Sequence, residues 1–333
     1  MIKKPAFLAF IFGFGLFFVV WLVISSWILP RTYPVINNQN EDFLLPTFAP
    51  TPTPACANLL FGGDLMFDRH IRQNAQAKDN YDYLLANLIP IFNQADAIIA
   101  NLEGPVTDFP SRSVNSEVGS TNNYIFTFEP KILQTLNQYP FIFNLGNNHI
   151  LNFGQEGLKQ TYQYLEQNQL NYFGFVGQPS AKPSYLIKEI NGLKLGLINY
   201  NQFITGGQDQ ALADLTTVRP MVDAVIVYAH WGNEYVPENQ VTKSLAHEFI
   251  DAGADLLIGA HPHVVQGTET YQNKKIYYSL GNFVFDQYFE PAVQKGLLVQ
   301  VKICHSPTLE NLEFNFTDYP IVLKNTGETE LAN

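Results

Sequence analysis

Five short apolar runs, each ending in a side chain of the kind that holds a cation, constrain this chain more than any other feature. Leu59-Leu-Phe-Gly-Gly leads to Asp64, Ala97-Ile-Ile-Ala to Asn101 and Glu103, and Phe141-Ile-Phe to Asn148 and His149. Ala224-Val-Ile-Val-Tyr-Ala leads to His230, with Glu234 on the loop beyond, and Asp255-Leu-Leu-Ile-Gly-Ala to His261 and His263. Runs of this length and composition read as buried strands. Segments of helical apolar spacing separate them, at Tyr81 to Phe92, Pro130 to Asn137, Gly154 to Asn168 and Val241 to Ala252. Alternating strands and helices predict an α/β fold, and such sheets place ligands at the carboxyl ends of their strands.

Local signals refine this. Gly62-Gly63 predicts a tight turn that ends the first strand and offers Asp64, and Asp68 and Arg69 are adjacent charges that could pair with each other. Residues 107–123 are polar and turn-rich, hence a surface loop. The last of the five strands is expected over Asp255–Ile258, closed by a Gly-Ala turn. In extended backbone, His261 and His263 then point the same way, and Pro262 stiffens the pair. Lys194 to Asn199, Lys275 to Phe285 (with Asn282 inside it) and Gly296 to Ile303 supply three more strands.

Carboxylate, amide oxygen and imidazole are ligands of divalent ions such as Mn, Zn and Fe, and the lack of cysteine among them argues against a structural zinc. So many ligands, two of them anionic, suit two cations sharing a bridging ligand, an arrangement fitted to displacement at phosphorus. The alternative is a buried polar network without metal, which leaves several imidazoles and carboxylates to satisfy in a dry core.

Outside these runs, Lys3 and Lys4 precede Ala6–Leu29, a stretch without charge. As a helix it spans about 36 Å, enough to cross a hydrocarbon core of about 30 Å. Residues 1–29 are therefore expected to be a cytoplasmic tip and an uncleaved transmembrane anchor, with the remainder outside the cell. Residues 30–57 contain six prolines, including those of Pro50-Thr-Pro-Thr-Pro54, and read as a semi-rigid spacer before a domain at 58–333. Three basic and two acidic side chains precede residue 58, so a chain of net charge −11 leaves −12 on that domain. This balance excludes non-specific nucleic-acid binding. Cys56 and Cys304, the two cysteines, flank an early and a late strand. In an oxidising exterior they either form a disulfide or remain two free thiols.

Gly-Asp64, Asn-Leu-Glu103, Asn-Asn148-His149, His230-Trp-Gly-Asn-Glu234, Gly-Ala-His261-Pro-His263 and Tyr-Ser-Leu-Gly-Asn-Phe283, in this order, resemble the CapA (PgsA) family of poly-γ-glutamate capsule synthesis proteins, within the calcineurin-like metallophosphoesterase superfamily. The match runs from Leu59 to Phe285. It implies a four-layer αββα sandwich and a membrane-anchored, extracytoplasmic place in making or exporting a capsule polymer, beside synthase or export subunits. It further implies that Asp64 and His263 hold one metal, that Asn148, His230 and His261 hold another, and that Glu103 bridges them. His149 becomes the proton donor, with Asn152 where the family often has aspartate, and Arg69, Asn101, Glu234 and Asn282 support the site or the substrate. The superfamily's first motif carries a histidine where this chain has Met66. Two functions stay open: a metal-dependent hydrolase acting on a phosphoester or anionic polymer, and a non-catalytic metal-binding scaffold of a polymer synthase.

Overall fold

Four strands, β1 (Cys56–Leu65), β2 (Ala97–Leu102), β3 (Phe141–Asn144) and β4 (Asn171–Phe173), lie side by side in parallel. The chain then builds a second sheet from β5 (Tyr185–Ile190), β6 (Leu193–Asn201), β7 (Ala224–His230), β8 (Leu256–Ala260), β9 (Thr268–Tyr271) and β10 (Lys274–Tyr277), ordered β5-β6-β7-β8-β10-β9. It returns to the first sheet with β11 (Asn282–Val284), β12 (Lys295–His305), β13 (Leu312–Leu323) and β14 (Thr329–Leu331). There β11 pairs with the end of β1 and β12 runs antiparallel along its beginning. The computed structural model describes residues 55–174, 176–177, 182, 184–305 and 311–332, which belong to one unit running from Pro52 to Asn333. The anchor expected at 6–29 and nearly all of the spacer lie outside them. Among the described residues no helix is long and apolar enough to cross a membrane.

Strand alternation divides the apolar side chains. Leu59, Phe61 and Ile99 of the first sheet meet Leu195, Ile226 and Ile258 of the second in one core, so the two sheets pack as a sandwich. Leu60, Ile98 and Phe143 point the other way, onto α1 (Arg69–Lys78), α2 (Ile89–Phe92), α3 (Ile132–Leu136) and α4 (Gly154–Gln167). Ile198, Val225 and Val227 likewise face α5 (Gly207–Val218) and α6 (Gln240–Asp251). A strand covered on both faces must be apolar at every position, which is why these strands read as unbroken runs. Each fully buried side chain of this kind contributes about 1.5–3 kcal/mol.

Several expectations are corrected. Gly62-Gly63 does not end β1, which continues to Leu65 with a register shift between Phe61 and Asp64. A Cβ on Gly63 would lie 1.8 Å from Gly281 O, so glycine there is required for the close approach of the segment that leads into β11. The last of the five runs forms β8 through Gly259-Ala260, and the turn begins at His261. Tyr81–Phe92 forms two 3-10 turns and one short helix. Lys275–Phe285 is two strands in different sheets, and Gly281 with φ 67° lies at the crossing between them. β13, whose Leu312-Glu-Phe-Asn-Phe alternates half-buried and exposed positions as a one-sided strand does, was not expected.

Cys56 and Cys304 lie within β1 and β12, not beyond their ends; they face each other in register and are joined by a disulfide. The chain thus enters β1 at the opposite end of that strand from Asp64. Closing so long a loop constrains the unfolded chain, and reduction is expected to cost about 2–4 kcal/mol. Melting curves with and without a reductant test this. Coincident curves, or two thiols titrated in freshly isolated protein, would refute it.

Candidate metal centre

Each ligand-type side chain comes from the carboxyl end of a strand or the loop just after it. Asp64 is fully buried near the end of β1, where Asn101 Nδ2 donates to its Oδ1 at 2.8 Å and the His261 backbone N–H to its Oδ2 at 3.0 Å. Asn101 Nδ2 also lies 3.2 Å from His230 Nδ1, so one amide touches both groups. Its own oxygen accepts from Asn144 Nδ2 at 3.1 Å and Asn147 Nδ2 at 3.0 Å. Asn147 is fixed in turn, since its Oδ1 accepts the backbone N–H groups of His149 and Ile150.

Glu103 is the centre of the group. It is fully buried, and neither of its oxygens meets a protein donor in hydrogen-bond geometry. Instead, Oε1 has His149 Nε2 at 3.8 Å, His263 Nε2 at 3.9 Å and His230 Nε2 at 4.0 Å. These separations are too long for hydrogen bonds and suit ligands arranged around a common cation. Ligand atoms of Glu103, His261 and His263 lie within 4.8 Å of one another. His261 Nδ1 is a further buried atom without a partner, and Asn148 Oδ1 lies 2.8 Å from His230 Nε2.

His261 and His263 converge, but not through extended backbone: their φ angles are 96° and 57°. Left-handed conformations cost non-glycine residues on the order of 1–3 kcal/mol each and persist only where the surroundings impose them. Here the strain brings the two rings to 5.9 Å, beside Glu103. Asn282 sets the tautomer of His263. Its amide nitrogen donates to Val293 O at 2.9 Å and Gln287 Oε1 at 3.1 Å, so its oxygen faces His263 Nδ1 at 2.9 Å and accepts that proton. The Nε2 lone pair is thereby aimed at Glu103.

His149 is held the same way. Asn152 Oδ1 accepts the Phe126 backbone N–H at 2.8 Å and faces His149 Nδ1 at 3.1 Å, which leaves Nε2 pointing at the centre. Arg69 does not pair with Asp68, which faces Arg72 at 3.3 Å. Its guanidinium bonds Asp286 and lies over the rings of Phe126 and Phe285. Glu234 is exposed and stays outside the cluster, though its charge helps to raise the Asp64 pKa.

The electrostatics fit a cation. Burial raises Asp64 to about 6 against the opposing hydrogen bonds of Asn101 and His261, and burial together with the Asp64 charge raises Glu103 well above the carboxylate range. Burial also lowers His149 and His261 to about 4, and His230 and His263 well below the usual imidazole value. Neutral imidazoles gathered around carboxylates that are costly to ionise are what a divalent ion stabilises. The donor set therefore fits a divalent metal, with Asp64, Glu103, Asn148, His230, His261 and His263 available to hold it.

Sequence reasoning missed the supports. Asn144 and Asn147 buttress Asn101, Phe203 packs on His261 at 4.4 Å, and Tyr235 stacks on His263 at 5.9 Å. Asp286 was legible, because it ends the run Asn282-Phe-Val-Phe in the same manner as the other strand-end acids.

The family model described as "Bacterial capsule synthesis protein PGA_cap" matches residues 58–287. "Capsule biosynthesis protein CapA" of Bacillus anthracis is 25% identical over 308 residues, covering 86% of this chain and 70% of that protein. "PGA biosynthesis protein CapA" of Bacillus subtilis (strain 168) is 31% identical over 245 residues, covering 68% and 63%. A "Probable polyglutamine synthesis accessory protein" of Mycobacterium tuberculosis is 26% identical over 219 residues, covering 57% and 56%. The chain thus spans between 56% and 70% of the length of these relatives. With more than half of its length inside the family model, this chain belongs to the bacterial capsule synthesis protein (PGA_cap) family, within the metallophosphoesterase-like superfamily.

Proposed function

We propose that this chain is a membrane-anchored, extracytoplasmic protein of capsule-polymer synthesis or export, of the poly-γ-glutamate type, whose domain is a four-layer αββα sandwich with a two-metal hydrolase site. The relatives' names support the polymer role. The anchor rests on the uncharged stretch Ala6–Leu29. The observation that carries the site is Glu103: a buried carboxylate without a donor among three imidazole nitrogens.

Asp64 and His263 would hold one cation, Asn148, His230 and His261 the other, with Glu103 shared between them; Mn, Zn and Fe suit these donors. Bound there, such cations supply an activated water and offset charge on the group being cleaved. The remaining work falls to the chain's own residues. His149, once protonated at Nε2 in the complex with substrate, would give that proton to the leaving group, while Asn152 Oδ1 accepts the Nδ1 proton and fixes the ring. Arg69, held by Asp286, faces the anionic part of the substrate.

One observation favours a second reading, a scaffold subunit without turnover. At Met66 the superfamily's histidine is replaced by a buried thioether whose Sδ accepts the Asp68 N–H at 3.0 Å, so the first cation has fewer ligands. Metal analysis of the detergent-purified chain, followed by a phosphoesterase screen with added Mn, separates the two. Bound metal with turnover is expected. One metal or none, and no ester cleaved, would overturn the hydrolase in favour of the scaffold.

A further inference from the structure

A recess of about 140 Å³ is lined by Arg69, Val118, Asn123, Tyr124, Tyr235 and Phe289. Two of these touch residues of the Glu103 centre. The Tyr124 backbone lies against the His149 ring, where its carbonyl favours the protonated form, and the Tyr235 ring stacks on His263 at 5.9 Å. Arg69 is tied to the same two imidazoles. Its guanidinium lies 5.0 Å from the Phe126 ring, which packs on His149 at 4.5 Å, and 5.4 Å from the Phe285 ring, which packs on His263 at 4.8 Å. The recess therefore adjoins the His149 and His263 side of the centre, whereas Phe203 packs on the His261 and His230 side. Phe289 stands one ring farther out, edge-on to Tyr235 at 5.3 Å.

Arg69 is an incompletely matched cation. Asp286 accepts from Nη2 and fixes the plane of the guanidinium, but Nε is buried with no acceptor, and Nη1 has only the Asn123 oxygens, both at 3.4 Å. Buried donors are normally met, so a guanidinium left this way beside a recess points to an acceptor that arrives with the ligand. Backbone strain accompanies the placement, since Arg69 and Tyr235 are left-handed, at φ 49° and 62°, as His261 and His263 are. Charge selects the class. A single guanidinium that already faces one carboxylate suits a monoanion rather than a phosphate dianion, and a planar carboxylate matches its edge with two parallel hydrogen bonds.

We propose that this recess is the subsite for the leaving-group side of the substrate, and that Arg69 there binds a carboxylate carried by the leaving group. The side rests on the hydrolase reading, with His149 as proton donor; the carboxylate binding does not. In the test, a γ-linked glutamate trimer and its analogue with carboxamides in place of the α-carboxylates are titrated calorimetrically against the full chain in detergent, with Mn and with chelator. The carboxylate trimer is expected to bind about ten- to a hundredfold more tightly in both conditions. Arg69→Gln combined with Asp286→Asn, which removes both charges of the pair together, should erase that preference. Val118 is exposed on the same recess, so Val118→Glu and Val118→Lys should lower and raise the preference by about threefold without disturbing the fold.

Equal affinity for the two trimers, a preference that chelator removes, or one that survives both the double variant and Val118→Glu would overturn the proposal. Turnover then reads the side. Carboxyalkyl phosphates are expected to show a lower KM than the matching carboxamides in the wild type and an equal KM in the double variant. Cleavage of both at equal KM by the wild type would overturn the leaving-group assignment. Cleavage of neither, with the trimer preference intact, would count against the hydrolase reading alone.

Discussion

Glu103→Gln is expected to abolish stoichiometric metal binding and to lower any metal-dependent turnover by at least about a thousandfold, the several kcal/mol that a bound cation contributes. The same change should move stability in two directions. Without metal, the carboxylate is buried among neutral imidazoles and beside Asp64, with no donor. Removing a buried acid whose ionisation burial penalises should stabilise the metal-free protein by about 1–3 kcal/mol at neutral pH. Because the folded pKa of Glu103 lies above its unfolded value, the stability it lends is complete below the unfolded value and is lost as pH rises through the folded one. The advantage of the Glu103→Gln variant over wild type should therefore grow with pH and vanish near pH 4, about the unfolded value. With metal the order reverses. A ligand at a thousandfold excess over its Kd adds about 4.1 kcal/mol to the wild type and nothing to a variant that does not bind it. Melting curves of both proteins, with chelator and with Mn, check every part. A variant that melts below wild type in chelator at pH 7 would show that Glu103 has an ordinary structural partner.

The second large effect concerns His149. A positioned general acid contributes about 10²- to 10⁴-fold, so His149→Ala should cut turnover of alkyl phosphates by that factor. Aryl phosphates, whose leaving groups need little protonation, should lose far less. Burial holds His149 at about 4, with the Asn152 hydrogen bond opposing it only in part, so little acid form exists at pH 7 in the absence of substrate. An aspartate at 152 would place a charge on Nδ1 and favour the imidazolium. Asn152→Asp should thus raise the ratio of alkyl to aryl turnover and shift the alkaline limb of the pH profile upward. An unchanged ratio and an unchanged profile would remove His149 from the acid's role.

How far the site was legible differs from residue to residue. Asp64 and His230 could be read because burial on both faces keeps the preceding strand positions apolar, so the first polar residue after the run stands out. Glu103 and His149 lie beyond the first polar residues of their runs, Asn101 and Asn144, and are read as part of the same strand-end groups. The meeting of His261 and His263 was also legible, though not its cause. The expected extended backbone gives way to two left-handed residues, a choice made by the surrounding packing rather than by His-Pro-His. Phe203 and Tyr235 had no signal, because an aromatic residue in a loop looks the same whether it packs inward or borders a site. The path of the chain between sheets at Gly281 was hidden as well, since Lys275–Phe285 has the pattern of one strand.

The disulfide between Cys56 and Cys304 has a mechanical meaning. β1 is the first strand of the fold, and Asp64 lies near its far end. Tension on the chain preceding Cys56 would, without the bridge, be resisted at that end only by the backbone hydrogen bonds that β1 makes with its neighbours, and their loss would let Asp64 shift out of register with Asn101 and His261. The bridge transfers that load at once to β12, which is held along its other edge by β13. A pull on the chain before Cys56 is therefore grounded in the middle of the sheet before it reaches the centre.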